Sequence, residues 1–208
     1  MSAKWPFSAT VKRVTRLLLV RHGESEWNAL GKWQGQANPP LTDKGRRQAQ
    51  QAAGVLGAFD AIVASTLQRA AETAAIISEA MGVGPVLVEE DLQERSAGPW
   101  QGLTRVEIEQ GWPGALESGH RPEGYELDEQ VLARAHGALL RVVEATAGAD
   151  EVLVVTHGGV IYAVEGGAAI PMVRIPNLGG RWVEVTDGEL RLGDRVDLVG
   201  DGTVPDLL

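Results

Sequence analysis

The chain predicts an α/β layer fold with a mostly parallel sheet. Three observations carry that expectation. Residues 17–20, 61–64 and 152–155 are short unbroken apolar runs, the length of strands buried on both faces. Stretches with helical apolar spacing separate them, as crossover helices separate parallel strands. The first and last of these runs also end alike, in Arg21-His22-Gly23 and in Thr156-His157-Gly158-Gly159. Strands of a parallel sheet present their carboxyl ends to one side, where open α/β sheets bind ligands.

Each element has its own justification. Residues 1–16 mix Lys4, Trp5, Pro6, Lys12 and Arg13 without a continuous apolar core, so they do not read as a signal peptide. After the first strand, Gly23 permits close backbone approach, and Glu24-Ser25 can open a helical turn whose free N–H groups favour an anion. Residues 31–40, rich in Gly, Pro, Asn and Gln, read as an irregular segment lying over a surface or a mouth. Thr42 is the N-cap of a helix with Ala49, Ala52, Ala53 and Leu56 on one face, ending at Gly57. Ser65-Thr66 caps a second helix, striped by Leu67, Ala70, Ala71, Ala74, Ile77 and Met81. Arg69 stands in its first turn, against the macrodipole, which reads either as a solvated arginine or as one with a job other than helix stability.

Residues 86–88 predict a third strand, and the acidic stretch 89–94 a solvated one. A turn-rich loop at 98–102, a short helix over 104–110 and a long surface loop over 111–124 follow. Trp33, Trp100, Trp112 and Tyr125 fall in loops, where they can line a mouth or cap the core. Residues 127–145 return to helical spacing. Residues 181–185 and 189–198 alternate like a hairpin at a sheet edge. One domain is expected over residues 1–208, with 1–14 and 201–208 as loose termini.

Composition narrows the function. With 208 residues, 44% of them hydrophobic, the chain can fill one large core. A formal net charge of -9 repels nucleic acid and anionic membrane surfaces, so an anionic substrate must be drawn in by a local cluster of cations. The absence of cysteine excludes disulfides, thiolate catalysis and Cys-ligated metals. No run reaches membrane-spanning length, and a cytoplasmic protein is the expectation. Neither histidine has a second His or Cys at ligand spacing, so no metal and no cofactor is expected.

Together, Arg21-His22-Gly23-Glu24 with Trp27-Asn28, Leu41-Thr42 and Gly45, residues 65–69, Leu92-Gln93-Glu94 and Thr156-His157-Gly158-Gly159 resemble the histidine phosphatase superfamily, in its phosphoglycerate mutase-like branch. The resemblance implies a three-layer α/β/α fold and a phosphohistidine mechanism. His22 would be the nucleophile, with Arg21, Arg69 and His157 around the phosphoryl group and Glu94 as proton donor; Asp91 and Glu90 stand behind Glu94 as fallbacks. Asn28, Gln34, Gly35 and the Gly158 N–H would contact the substrate. The interval between Glu94 and His157 holds Arg95, Arg105, Arg121, Arg134 and Arg141, none adjacent, whereas the mutases of the family carry an adjacent pair. Val160 after Gly159 also resembles the phosphatases. The reading is therefore an acid-type phosphomonoesterase acting on a small phosphorylated metabolite. A cofactor-dependent phosphoglycerate mutase and a catalytically silent phosphate-binding protein are the alternatives. The family often has Pro-Gly-Gly-Glu-Ser where this chain reads Pro122-Glu123-Gly124-Tyr125-Glu126, which leaves the substrate open. A homodimer is allowed by the resemblance but not specified.

Overall fold

A computed structural model describes residues 13–170 and 172–200. The expected tail over 201–208 and most of the expected leading segment lie outside the described residues.

The strands are β1 (Thr15–Arg21), β2 (Ala61–Ser65), β3 (Leu87–Glu89), β4 (Glu151–Thr156), β5 (Gly179–Thr186) and β6 (Glu189–Asp197). They form one six-stranded sheet in the order β3-β2-β4-β1-β5-β6. The first four are parallel, and β5 and β6 run antiparallel. The helices are α1 (Glu26–Ala29), α2 (Asp43–Val55), α3 (Gln68–Met81), α4 (Arg105–Gly111), α5 (Ala115–Ser118), α6 (Asp128–Ala145) and α7 (Gly158–Gly167).

Strand alternation divides the core. Leu17 and Leu19 point to one face with Val152 and Val154, beneath Val131, Ala135 and Leu139 of α6 and Val160 and Val164 of α7. Leu18 and Val20 point to the other with Ile62 and Leu153, beneath Ala49 and Ala52 of α2 and Ala70, Ala74 and Ile77 of α3. Helices on both faces are why the central strands read as continuous apolar runs rather than alternating ones. The sandwich is the expected α/β/α arrangement. A third, smaller cluster of Ala97, Trp100, Ile108, Ala115 and Tyr125 sits in the segment between β3 and α6.

Several local expectations change. Thr42 does cap α2, accepting from the Gly45 N–H at 3.0 Å, but the helix stops at Val55, before Gly57, and Leu56 is already extended. Ser65 and Thr66 do not cap α3. The N-cap position is Leu67, and Asn38, thirty residues earlier, accepts from the Gln68 N–H at 2.7 Å. The hairpin is at the edge only through β6, since β5 is paired on both sides. Within the loop at 111–124 lies the single turn α5. The acidic stretch is only partly solvated: Glu89 and Asp91 both pair with Arg141, and Leu92 is fully buried.

Candidate active site

Sheet register puts the two histidines together. Arg21 of β1 pairs with Thr156 of the adjacent parallel β4, so the next residues, His22 and His157, leave neighbouring strand ends at one level. Their ring centroids are 5.2 Å apart. Residues 22–25 are pressed against the start of α2. A Cβ on Gly23 would stand 2.5 Å from the Gly45 carbonyl oxygen, and one on Gly45 2.1 Å from that of Glu24, so only glycine fits at both places. Ser25 caps α1 in a capping box with Asn28, the helical turn read from Glu24-Ser25.

The hydrogen bonds fix the His22 tautomer. Arg69 Nε can only donate, and it lies 3.1 Å from His22 Nε2, so Nε2 carries the lone pair. His22 Nδ1 must then hold the proton, which it donates to the Gly23 carbonyl at 2.7 Å. Burial, with Arg69 and Arg21 nearby, pushes the imidazole pKa well below its ordinary 6.5. His22 is therefore a neutral base with its lone pair on the side of Arg69.

Arg69 itself is completely buried. Its Nη1 and Nη2 donate to the Ala37 and Gly35 carbonyls at 2.7 and 3.0 Å, so the irregular 31–40 segment supplies its acceptors. Desolvation lowers its pKa to about 10, which leaves it cationic at neutral pH. The position against the macrodipole is explained by these contacts.

His157 is also fully buried, and its pKa is driven well below 6.5 by desolvation and by Arg69 and His22. Its Nε2 lies 2.8 Å from Ser65 Oγ. That hydroxyl already accepts from the Leu67 N–H at 3.3 Å, and Nε2 is the acceptor its own proton finds among the described residues. Ser65 thus donates, and His157 carries its proton on Nδ1, a buried atom with no partner among the described residues.

Glu94 approaches from the β3–α6 segment. Its Oε1 accepts from the Arg95 N–H at 2.8 Å and its Oε2 from the Gly159 N–H at 3.1 Å. A Cβ on Gly159 would lie 2.1 Å from Oε1, so the second glycine of the pair is what lets the carboxylate in. The preceding carbonyls are pinned as well: Arg134 donates to those of Asp91 and Gln93, and Thr156 Oγ1 to that of Leu92. Arg134 also grips Glu126 with two bonds, tying the divergent 122–126 stretch to the segment that presents Glu94. Glu94 lines the cavity, whereas Asp91 and Glu90 do not.

A cavity of about 670 Å³ opens over these residues. Arg21, His22, Asn28, Gln34, Gly35, Glu94 and Gly158 line it; Arg69 and His157 do not, and adjoin it through His22, Arg69 by its bond to Nε2 and His157 by ring contact. Its rim carries Lys32, Arg95, Arg105, Arg121 and Arg174, the convergence of cations that the negative net charge requires. Arg95 is paired with Asp128 at 2.6 Å. Lys32, Arg105 and Arg121 have no carboxylate within ion-pair distance among the described residues, and Arg121 lies over the rings of Trp100 and Tyr125 at 5.5 and 5.3 Å. Trp33 and Tyr125 do line the mouth; Trp100 is instead wholly buried. Sequence reading missed Lys32, Tyr162, Arg174 and Asn177. Asn177 donates to the His22 carbonyl at 2.8 Å, and nothing in local spacing signals it.

A histidine follows each of two adjacent parallel strands, a buried arginine bonds the first of them, and a glutamate lines the same cavity. The model of the histidine phosphatase superfamily (branch 1) matches residues 17–189, and the chain belongs to that superfamily. Among its relatives, the glucosyl-3-phosphoglycerate phosphatase of Mycolicibacterium vanbaalenii is 35% identical over 200 residues, covering 88% of this chain and 88% of that one. That of Mycobacterium tuberculosis is 37% identical over 183 residues, covering 81% and 82%. The solved native structure of a mycobacterial glucosyl-3-phosphoglycerate phosphatase superposes with a TM-score of 0.73 at 31% identity, over 86% of this chain and 97% of that one. Among the described residues, no helix is long and apolar enough to cross a membrane.

Proposed function

We propose that this protein hydrolyses phosphate monoesters through a phosphohistidine on His22. The observation that carries the reading is a neutral His22 that lines the cavity and whose Nε2 lone pair is held by a buried guanidinium. A neutral imidazole attacks phosphorus without first surrendering a proton. As the Nε2–P bond forms, the P–O bond to the leaving group breaks, and Glu94 delivers a proton to the departing alkoxide. Water then attacks phosphorus, Glu94 takes back a proton, and the P–N bond breaks to release inorganic phosphate and free His22. Arg69 surrenders its Nε bond to the lone pair and turns that N–H onto a phosphoryl oxygen. Arg21 and His157 Nδ1–H add donors to the oxygens over which the charge spreads. Because His22 stays neutral well below the usual imidazole pKa, the nucleophile persists into the acid range, as an acid-type phosphatase needs.

The substrate class we propose is a glycosylated phosphoglycerate or a close analogue. Two relatives carry that activity in their names, and Lys32, Arg105 and Arg121 supply cations at the mouth that suit a carboxylate beside the ester.

Purified protein should release nitrophenol from p-nitrophenyl phosphate without added metal, and free phosphate from glucosyl-3-phosphoglycerate faster than from glucose 6-phosphate. Folded protein with no release from any ester would overturn the hydrolytic reading. A mutase would instead interconvert phosphoglycerate isomers in the presence of a trace of the bisphosphate without net phosphate release.

The Ser65–His157 pair gives a smaller expected effect. Ser65→Ala removes the donor that fixes the His157 tautomer, and kcat/KM is expected to fall about tenfold, near 1.4 kcal/mol of hydrogen-bond energy. Ser65→Thr should restore it. Nitrogen-15 shifts of His157 give the direct readout: the proton should sit on Nδ1 in the native protein and divide between the nitrogens in the alanine variant. An unchanged tautomer would remove Ser65 from this role.

A further inference from the structure

We infer that Asn177 is a positioning residue that turns the Asn28 amide so that it offers N–H, not C=O, to the phosphoryl group. The inference rests on the phosphate site proposed above, and it concerns a residue outside every motif by which that site was recognised.

Asn177 stands just before β5 and is only 3% exposed. The two protons of its Nδ2 have two acceptors, one on each side: the His22 carbonyl at 2.8 Å and Asn28 Oδ1 at 3.3 Å. One planar amide therefore bridges the backbone of the proposed nucleophile and a side chain on the cavity wall. The neighbouring Leu178 N–H donates to the Arg21 carbonyl at 3.0 Å, so the approach to β5 is fastened directly to the end of β1.

The consequence for Asn28 follows from counting donors and acceptors. Its Oδ1 also accepts from the Ser25 N–H at 3.2 Å. The Ser25 hydroxyl has a single proton, and Gln34 Oε1 at 2.7 Å is nearer to it than Asn28 Oδ1 at 3.2 Å. Two N–H groups, one of them from Asn177, thus claim the carbonyl end of Asn28. The amide end is left over, and Asn28 lines the cavity. The same reasoning applies to Gln34, whose carbonyl end is occupied by Ser25. A phosphate dianion has oxygens that only accept, so an amide turned the other way would oppose it lone pair to lone pair. Ser25 alone cannot hold the orientation against that reversal, because an Asn28 flip would cost a single backbone bond. With Asn177 in place the flip would cost two, and would set two NH2 groups against each other.

The test is a double-mutant cycle read as the inhibition constant of inorganic phosphate, alongside kcat, KM and Tm. Asn177→Ala and Asn177→Ser are each made in the native chain and in Asn28→Ala; the serine variant keeps a donor and serves if the alanine variant does not fold. In the native background Asn177→Ala should weaken phosphate inhibition about tenfold, and in Asn28→Ala less than twofold, since the group through which it acts is gone. Asn177→Asp, equal in shape but with an acceptor in place of the NH2, should weaken phosphate more than alanine does. Equal fold-changes in both backgrounds, or an aspartate no worse than alanine, would overturn the inference and leave Asn177 as a clasp for the β5 turn. Native protein that phosphate does not inhibit would overturn the phosphate-site reading itself, and this inference with it.

Discussion

His22→Ala is expected to lower turnover of p-nitrophenyl phosphate by about 10⁴-fold or more and to abolish any acid-labile phosphoryl label on the protein. Loss of the proposed nucleophile would remove the two-step route altogether. The positive surroundings and Glu94 remain, but they would have only water to work with. The imidazole is also part of the packing: without it the buried Arg69 Nε–H has lost its acceptor, at a cost of about 1–3 kcal/mol, so Tm should fall by several degrees with the fold retained. His22→Asn, which leaves a polar group near that N–H, should recover part of the Tm and none of the turnover. A variant that keeps the native label would move the nucleophile elsewhere.

The same environment sets a pH signature. Folded His22 and His157 are held neutral, with pKa values pushed well below the ordinary 6.5 by burial and neighbouring guanidinium groups. In the unfolded chain both titrate near 6.5. Below that value the unfolded state binds more protons than the folded one, so stability should decline as pH drops through it, and level off only where the folded imidazoles themselves protonate. Tm measured across pH 4 to 8 reads this directly, and His22→Asn should flatten the slope. A Tm that rises on acidification would contradict the neutral assignment.

How far the sequence carried these conclusions depends on the range of the interactions involved. The core strands β1 and β4 were legible because burial on both faces demands unbroken apolar runs, and the histidines because each follows such a run directly. Thr42 was legible as a cap because the N–H that donates to it lies three residues away. Helix α3 misled because its first N–H is capped by Asn38, which no local pattern could announce. Helix α7 went unread for a different reason. Between Gly158 and Glu165 nearly every residue is buried, so there is no polar face and hence no stripe, and glycines bracket both ends. Asn177 and Arg134 act across 155 and 41 to 43 residues respectively, distances over which spacing carries no information. The cations at the mouth were visible as letters but not as a cluster, since Lys32, Arg105 and Arg121 converge only once the chain is folded.

Glu94→Gln is expected to separate esters by their leaving groups. An alkoxide needs a proton as it departs, whereas p-nitrophenolate is stable without one, and general-acid assistance is typically worth about 10²–10⁴-fold. The substitution should therefore cut kcat/KM by that order for an alkyl ester such as glucosyl-3-phosphoglycerate, and by less than about tenfold for p-nitrophenyl phosphate. The second step exposes the other half of the role. In the proposed mechanism dephosphorylation has Glu94 accept a proton from water whatever the first leaving group was, so the variant should release nitrophenol in a burst and then stall with the phosphohistidine accumulated. kcat would fall for both esters while kcat/KM falls for one. Geometry offers an independent route to the same outcome: a methyl group at Gly159 would lie 2.1 Å from Glu94 Oε1 and must displace the carboxylate, since that oxygen is the flexible end of a side chain. Gly159→Ala should show a weaker version of the same leaving-group dependence, with His22 still labelled. Equal losses of kcat/KM for both esters in Glu94→Gln, without a burst, would take proton transfer away from Glu94 and leave it as a bystander that only accepts the N–H groups of Arg95 and Gly159.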